Sequence, residues 1–341
     1  MLKKGICLVM SVLLCVVILI GCGSKETTSE ASKAIVVTDQ AGREVTIKNP
    51  VKRIVSGYYI STSACLALQL KDKLVGTEDR GKRPFYKLFG SDFNALPNVG
   101  SAKAFNLEGC IALKPDLVIL PTKLKDAAES MTKLGIPVIL VNPENKEKLI
   151  ECLNLIAKAT STEKTAQKLI AYYEDSSTKM ENLTKGLKGN EKPVVYMGGT
   201  GSYLTTAPAN MYQATLINLA GGVNAGNSLK GDSWTKVSYE QILAMNPDVI
   251  IIPSEANYTA KDVLSDPQLS KVTAVKNAAV YHMPSAFEAW DSPVPSCILG
   301  SKWLLSTLHK DLYSFDNMKK DASEFYKQFY GITIDEKLIT K

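Results

Sequence analysis

Histidine is scarce in this sequence of 341 residues, which contains only His282 and His309. Neither stands at a spacing typical of a metal site, so we do not expect a His-rich centre that captures bare Zn²⁺ or Mn²⁺. No Ser-His-Asp set and no cluster of metal ligands is recognisable either. These absences argue against hydrolytic and metal-dependent enzymes.

A long membrane-spanning run is also lacking at the N-terminus. Lys3 and Lys4 precede an apolar run from Ile6 to Ile20, which is too short for a comfortable membrane span and predicts a secretory signal over residues 1–21. The run ends in Leu-Ile-Gly-Cys22, which resembles the lipobox of bacterial lipoproteins and predicts lipidation of Cys22. A polar, Ser/Thr-rich tether over 22–33 would follow. An unprocessed membrane anchor is the alternative.

Signals for nucleotide and nucleic-acid binding are absent. Gly198-Gly-Thr-Gly201 follows a predicted strand, but it has neither the Gly-Lys-Ser/Thr of a phosphate loop nor a third glycine that opens a helix. No basic stripe is interleaved with aromatic residues, and removal of the two signal lysines lowers the net charge from +6 to +4. We therefore expect no nucleic-acid partner.

Cysteines occur without any Cys-x-x-Cys spacing. Cys7 and Cys15 belong to the signal, and Cys22 is the lipid site. The others lie in apolar helical settings, which predicts buried free thiols rather than a metal cluster. A disulfide between two of them stays open, because an exported protein meets oxidising conditions. These four residues are Cys65, Cys110, Cys152 and Cys297.

One long helix is predicted near the middle of the chain, over Thr162–Leu187. Its apolar residues recur at three- and four-residue steps, the period of one helix face. Thr160 and Glu163 have the spacing of a capping box, and Gly186, Gly189 and Asn190 break the pattern at the end of the helix. Roughly 26 residues would span about 39 Å, long enough to join two small domains.

An internal repeat stands on either side of this helix. Glu108–Leu120 and Glu240–Ile252 align without a gap. Each copy reads as a short helix, a proline and an aspartate, followed by a continuously apolar strand of the kind buried in a parallel sheet. We predict an α/β fold of two Rossmann-like lobes joined by a single long interdomain helix. The predicted boundaries are 34–159 for the N-terminal lobe, 160–190 for the bridging helix and 191–341 for the C-terminal lobe.

These motifs together resemble a known family. Besides the lipobox and the single bridging helix they comprise Asp39–Val45, Lys52–Val55, Asn106–Glu108 with Lys114–Asp116, and Trp234–Glu240. In this order they look like the substrate-binding lipoproteins of ABC importers for iron-siderophores, haem and cobalamin, the class III or TroA-like periplasmic binding proteins. The likeness covers nearly the whole mature chain.

The resemblance implies a function and partners. The protein would be a monomeric, extracytoplasmic, lipid-anchored binding protein without a cofactor, which delivers a ligand from the cleft between its lobes to an ABC permease and its ATPase subunits. In this family the residues matching Glu108 and Glu240 dock onto permease arginines. The alternative for both acids is a favourable interaction with the helix dipole.

Ligand contacts are predicted from loops at the strand ends, because ligands of open α/β sheets bind at that edge. Aromatic rings and cationic side chains suit a large, partly apolar, anionic chelate, so we expect an iron(III)-siderophore type of ligand. The predicted contacts are Tyr58, Tyr59, Arg80, Lys82, Arg83 and Lys103 from the first lobe, and Tyr203, Trp234, Trp290 and Asp291 from the second.

Arginine is missing from the second lobe, and this narrows the range of possible ligand classes. Catecholate binders of the family commonly bring arginines from both lobes, so a tris-catecholate is disfavoured. Hydroxamate or carboxylate siderophores, haem, a corrinoid and a small metal or oxyanion ligand stay open. An enzyme on two Rossmann-like lobes, and a lipid-anchored adhesin or scaffold, are the rival classes.

Overall fold

The computed structural model describes most of the chain, residues 34–48, 50–79, 83–231 and 233–341. None of the helices in these ranges combines the length and the apolarity that a membrane crossing requires. The predictions that lie outside the described residues concern the signal 1–21, Cys22, the tether 22–33, Arg80 and Lys82.

The first lobe alternates strands and helices along the chain. In order its elements are β1 (Ile35–Thr38), β2 (Glu44–Ile47), β3 (Ile54–Ser56), α1 (Tyr59–Ala67), β4 (Leu74–Thr77), α2 (Gly90–Asn94), β5 (Gly100–Ser101), β6 (Ala104–Phe105), α3 (Leu107–Ala112), β7 (Leu117–Pro121), α4 (Lys125–Lys133), β8 (Val138–Val141) and α5 (Lys146–Thr160). A four-stranded parallel sheet has the strand order β4-β3-β7-β8.

Strand β7 explains why these strands are continuously apolar. Leu117 and Ile119 pack into the core that contains α1 and α5, while Val118 and Leu120 pack into a second core with α3 and α4. Because side chains alternate between the two faces of a strand, a sheet covered on both faces needs an apolar residue at every position.

The second lobe follows the bridging helix α6 (Glu163–Thr184). Its elements are β9 (Val194–Gly199), β10 (Ser202–Thr206), α7 (Tyr212–Leu219), β11 (Val223–Asn224), β12 (Thr235–Lys236), α8 (Tyr239–Met245), β13 (Val249–Ile252), α9 (Ala260–Leu264), α10 (Thr273–Lys276), β14 (Val280–His282), α11 (Ile298–Leu308) and α12 (Phe315–Phe325). A six-stranded sheet has the order β12-β10-β9-β13-β14, with β11 also paired to β9.

Strands β11, β9, β13 and β14 are parallel, and β10 and β12 are antiparallel additions. The glycine-rich segment Gly198–Gly201 forms the end of β9 and the turn before β10, and the predicted strand, not a helix, follows it. A π-helical turn at Tyr326–Tyr330 continues α12. Short 3₁₀ turns are found at Lys71–Lys73, Pro84–Phe89, Thr122–Leu124, Gly189–Glu191, Pro267–Leu269 and Glu336–Leu338.

The bridging helix is shorter than predicted. It has 22 residues and spans about 33 Å. It packs against α5 of the first lobe and against α7 and α11 of the second. The hydroxyl of Tyr173, near its middle, donates to the carbonyl oxygens of Val294 (3.0 Å) and Pro295 (2.6 Å). The helix is therefore tied into both lobes.

The predicted capping box of this helix is wrong. Thr160 is the last residue of α5, and its hydroxyl donates to the carbonyl oxygen of Ile156 at 2.7 Å. Ser161 ends α5 in the left-handed conformation, with φ 57°. Thr162 then precedes α6 without a side-chain capping bond. The spacing was right for a cap, but the threonine belongs to the preceding helix.

The repeat is confirmed, because both copies form a short helix followed by a parallel strand. In the first copy, Oδ2 of Asp116 accepts from the backbone N–H groups of Lys52 and Arg53, both at 2.9 Å. In the second copy, Oδ2 of Asp248 accepts from the backbone N–H of Val194 at 2.8 Å. In both lobes the aspartate after the short helix thus fixes the start of the neighbouring strand.

Candidate ligand-binding site

A cleft of about 620 Å³ lies between the two lobes. Its size is within the range of small-molecule sites. Its walls are formed by Tyr58, Tyr59, Ile60, Lys123, Asn142, Glu144, Asn145 and Lys148 of the first lobe and by Asn210, Met211, Tyr212, Gln213, Ser233, Trp234, Ser292 and Pro293 of the second.

The first-lobe wall is built at the carboxyl ends of three neighbouring parallel strands. Tyr58 and Tyr59 follow β3, Lys123 follows β7, and Asn142 and Glu144 follow β8. Because parallel strands end at one edge of their sheet, residues far apart in sequence meet there.

The second-lobe wall is made by the start of α7, by the segment before β12 and by the loop before α11. Trp234 is half-buried, and its indole rests against the backbone of Gly199. A Cβ atom at Gly199 would lie 3.2 Å from the indole ring. The glycine therefore lets the indole lie close to β9.

Polar groups dominate the cleft. Two exposed ammonium groups, Lys123 and Lys148, come from the first lobe. Asparagine amides come from both lobes, and serine hydroxyls come from the second. Glu144 is the carboxylate among the lining residues, and Trp234 and Met211 provide apolar surface. Such walls suit a ligand that carries several anionic oxygens and some apolar surface.

Tyr58 and Tyr59 are paired on the first-lobe wall. Their rings make an edge-to-face contact, with centroids 5.0 Å apart. Burial raises the pKa of both phenols, and nearby Glu144 adds to the shift at Tyr58. Both hydroxyls are therefore neutral at physiological pH.

Three of the predicted ligand contacts line the cleft: Tyr58, Tyr59 and Trp234. Their contact with a ligand stays a prediction. The lining residues that sequence reasoning missed are mostly polar, such as Lys123, Asn142 and Lys148. The strand-end rule that found the two tyrosines also applies after β7 and β8, and it would have found Lys123 and Asn142.

Trp290 does not belong to the cleft, which corrects the prediction. It is 0% exposed, and its indole N–H donates to the Tyr326 hydroxyl at 2.9 Å. Its ring stacks on Phe287 at 5.6 Å between centroids. Asp291 is buried too and accepts a 2.7 Å hydrogen bond from the Ser254 hydroxyl. The loop that carries both residues folds into the core instead of lining the cleft.

Tyr203 and Lys103 are also placed away from the cleft walls. The Tyr203 hydroxyl donates to Asp266 at 2.9 Å, and Tyr239 donates to the same carboxylate oxygen. This makes Tyr203 part of the packing beside α8. Lys103 lies exposed in the turn between β5 and β6. Neither residue is among those that line the cleft.

Arg83 of the first lobe forms an ion pair with a residue of the second lobe. Its guanidinium forms an ion pair with Glu255, with 3.0 Å between Nη1 and Oε1. The guanidinium carbon also lies 4.0 Å from the centroid of the Tyr59 ring. The prediction that Arg83 binds ligand oxygens directly therefore does not match its position, behind Tyr59 rather than on the cleft wall.

The two predicted docking acids occupy equivalent sites. Glu108 and Glu240 are the second residues of α3 and α8, and both are exposed. Asn106 caps the first helix and Ser238 the second. Hydrogen bonding to Ser238 lowers the pKa of Glu240. The symmetry fits either docking or a helix-dipole role, and docking stays a prediction.

The predicted burial of the four cysteines is confirmed. Cys65, Cys110, Cys152 and Cys297 are buried free thiols in the structure. Burial raises the thiol pKa, to about 12 for Cys110 and Cys152. No group of three or more potential metal-ligating side chains occurs within the ranges that the structure describes.

A family model described as "Periplasmic binding protein" matches residues 54–287. The chain belongs to this family. Molybdate-binding protein MolA of Haemophilus influenzae is 25% identical over 92% of this chain and 95% of its own length. The uncharacterized ABC transporter substrate-binding lipoprotein YvrC of Bacillus subtilis is 26% identical over 89% of this chain and 96% of its own.

Two further relatives support the same family assignment. The Fe(3+)-citrate-binding protein YfmC of Bacillus subtilis is 26% identical over 80% of this chain and 87% of its own. A periplasmic solute binding protein from Veillonella parvula has a TM-score of 0.79 and 28% identity over 90% of this chain and 95% of that one. The two-lobed α/β fold is thereby confirmed, and so is the prediction that the chain is an ABC-transporter solute-binding protein rather than an enzyme.

Proposed function

We propose that this periplasmic binding protein captures an oxygen-rich ferric chelate, of the carboxylate or hydroxamate siderophore class, and delivers it to an ABC permease. The observation that carries the proposal is the lining of the cleft, to which the first lobe contributes Lys123 and Lys148 and the second lobe contributes amide and hydroxyl groups. Ammonium, amide and hydroxyl groups are the donors that bind the outer oxygens of such a chelate. A lipid anchor at Cys22 would keep the protein at the outer face of the membrane.

The size and polarity of the cleft separate the ligand classes. A volume of about 620 Å³ accommodates a compact chelate. Haem and corrinoids present wide apolar faces, and the largely polar walls provide little to cover them. The similarity to a Fe(3+)-citrate-binding protein supports the same ligand class.

A tetrahedral oxyanion is the second candidate. The molybdate-binding relative matches nearly the full length of this chain. The amides of Asn142 and Asn210 come from opposite walls, so a movement of the lobes toward each other would bring them around a small anion. In the present geometry the cleft is much larger than a single tetrahedral anion.

Calorimetric titration tests the proposal. Ferric citrate, a ferric hydroxamate, haem, cyanocobalamin and sodium molybdate are each titrated into the protein, and Trp234 fluorescence is followed in parallel. We expect saturable binding of at least one ferric chelate, with a fluorescence change that Trp234→Phe removes. Saturable binding of molybdate alone would establish the second candidate, and binding of haem alone would contradict both.

A further inference from the structure

The ion pair of Arg83 and Glu255 joins the two lobes. Arg83 follows the first-lobe strand β4, and Glu255 follows the second-lobe strand β13. The contact is bidentate, with 3.0 Å between Nη1 and Oε1 and 3.3 Å between Nη2 and Oε2. Such fork-to-fork geometry fixes the relative orientation of both side chains as well as their distance.

This contact differs in location from the other ion pairs within the described part of the chain. Each of those connects residues of one lobe or of the bridging helix, and so cannot hold the lobes together. They are Arg43–Asp39, Lys71–Asp72, Lys125–Glu129, Lys179–Asp175 and Lys302–Asp321.

Tyr59 connects the ion pair to the cleft. One face of its ring is covered by the Arg83 guanidinium at 4.0 Å, and the tyrosine itself lines the cleft. Its hydroxyl also interacts with Ser292 of the second lobe. A guanidinium that is anchored across the lobes therefore fixes the position of a ring on the cleft wall.

Partial burial strengthens the contact. The side chain of Arg83 is 24% exposed and that of Glu255 is 44% exposed. An ion pair in this setting is less screened by salt than a fully exposed pair, although the exposure of Glu255 limits its strength.

We propose that Arg83 and Glu255 form an interlobe clamp that holds the two lobes together, and that Arg83 acts as a positioning residue for Tyr59. The clamp keeps the two walls of the cleft at a fixed separation before the ligand arrives. Binding then requires less ordering of the lobes, which raises affinity without any contact between Arg83 and the ligand.

Hydrogen–deuterium exchange on the unliganded protein tests the clamp without reference to any ligand. Arg83→Gln and Glu255→Gln should each accelerate exchange of the amides in residues 57–62 and 253–258 roughly threefold to tenfold. The double variant should exchange no faster than the single variants, because either substitution already breaks the same pair. The control Asp175→Asn breaks an exposed ion pair within the bridging helix and should leave both segments unchanged.

The outcomes of this exchange experiment are distinct. Wild-type exchange in both single variants would overturn the clamp. Additive acceleration in the double variant would also overturn it, since the residues would then act independently.

The positioning role rests on the proposed function and has its own measurement. With ferric citrate as the probe, Arg83→Gln and Glu255→Gln should weaken binding roughly threefold to tenfold, mainly through faster dissociation. Faster exchange with unchanged ferric citrate affinity would overturn the positioning role. If wild-type protein binds no ferric citrate, the proposed ligand is wrong, and the exchange experiment still decides whether the clamp exists.

Discussion

At the scale of single residues, the positive charge among the described residues that line the cleft comes from lysines. The sequence predicted arginine forks, but of the predicted arginines Arg83 is paired with Glu255 and Arg80 lies outside the described residues. Lys123 and Lys148 line the cleft instead. A lysine ammonium is a point charge on a flexible stem, whereas a guanidinium imposes a planar fork. Lysines therefore suit anionic ligands of varied shape.

Lys148→Ala should weaken ferric citrate binding roughly threefold to tenfold, because an exposed ammonium contributes a screened attraction to an anionic ligand. The loss should shrink at high salt, where the attraction is already weakened. Calorimetry at low and high salt measures both effects. The matched control is Lys164→Ala, which removes an exposed lysine from the bridging helix. An equal loss in both variants would show that Lys148 acts only through net charge.

Glu288 carries a buried carboxyl group that makes stability depend on pH. It is 4% exposed and accepts a 2.7 Å hydrogen bond from the Tyr330 hydroxyl. Burial raises the pKa of its carboxyl. The folded protein therefore keeps this proton at pH values where the unfolded chain has lost it. Its contribution to stability is fully present below the unfolded pKa and decreases as the pH rises through the folded pKa.

Glu288→Gln should remove this pH dependence. The variant should match the wild type at about pH 4 and be more stable at about pH 8, because an amide cannot ionise. Urea denaturation across this range measures the difference. Glu174→Gln, at an exposed position of the bridging helix, is the control. A stability difference that stays constant from low to high pH would contradict the prediction.

At the scale of secondary-structure elements, both lobes contain the same arrangement of a short helix, a proline, an aspartate and a strand. The short helix ends two or three residues before a proline, and the aspartate after that proline accepts hydrogen bonds from the backbone at the start of the neighbouring strand. This arrangement explains why the two copies align without a gap. A residue inserted between helix and strand would move the carboxylate away from its N–H partners.

Asp116→Ala should lower the free energy of unfolding by about 1–2 kcal/mol, because two backbone N–H groups lose their acceptor. Asp248→Ala, which removes one such bond, should cost about half as much. Chemical denaturation measures both values. Asp72→Ala is the control, since that side chain is 95% exposed. A larger loss for Asp248→Ala than for Asp116→Ala would contradict this account.

At the scale of the whole molecule, the docking prediction depends on the symmetry of the lobes. Glu108→Arg and Glu240→Arg should each lower uptake by about tenfold or more while changing ligand affinity less than about twofold. Both acids are exposed and are not among the residues that line the cleft. Transport in whole cells and calorimetry on purified protein separate the two effects. The control Glu129→Arg reverses an exposed acid elsewhere on the first lobe.

Membrane attachment is a separate prediction for the whole molecule. Cys22→Ala should move the protein from the membrane fraction to the soluble extracytoplasmic fraction, because lipidation of Cys22 provides the anchor. Fractionation with immunoblotting measures this change, and Cys65→Ala, which replaces a buried thiol, is the control. Continued membrane retention of the Cys22 variant would show that the anchor is a different segment.

Much of the fold could be predicted because its signals are local. Each of these signals lies within a short window: the apolar runs of β7 and β13, the prolines between these strands and the preceding helices, and the periodicity of α6. The strand-end rule located Tyr58 and Tyr59 for the same reason. It missed Lys148, which is the third residue of α5 and lies beyond the end of the strand, but which lines the cleft.

The sequence by itself determined the α/β class, the repeat, the bridging helix and the family, because periodicity and motif spacing depend on neighbours along the chain. Only the tertiary structure decided which side chains face the cleft. Trp290 and Trp234 both lie in loops near the second-lobe wall, yet one packs into the core and the other lines the cleft. Arg83 meets Glu255 across 172 residues of sequence. Contacts of this kind arise from the packing of whole elements, which no local pattern encodes.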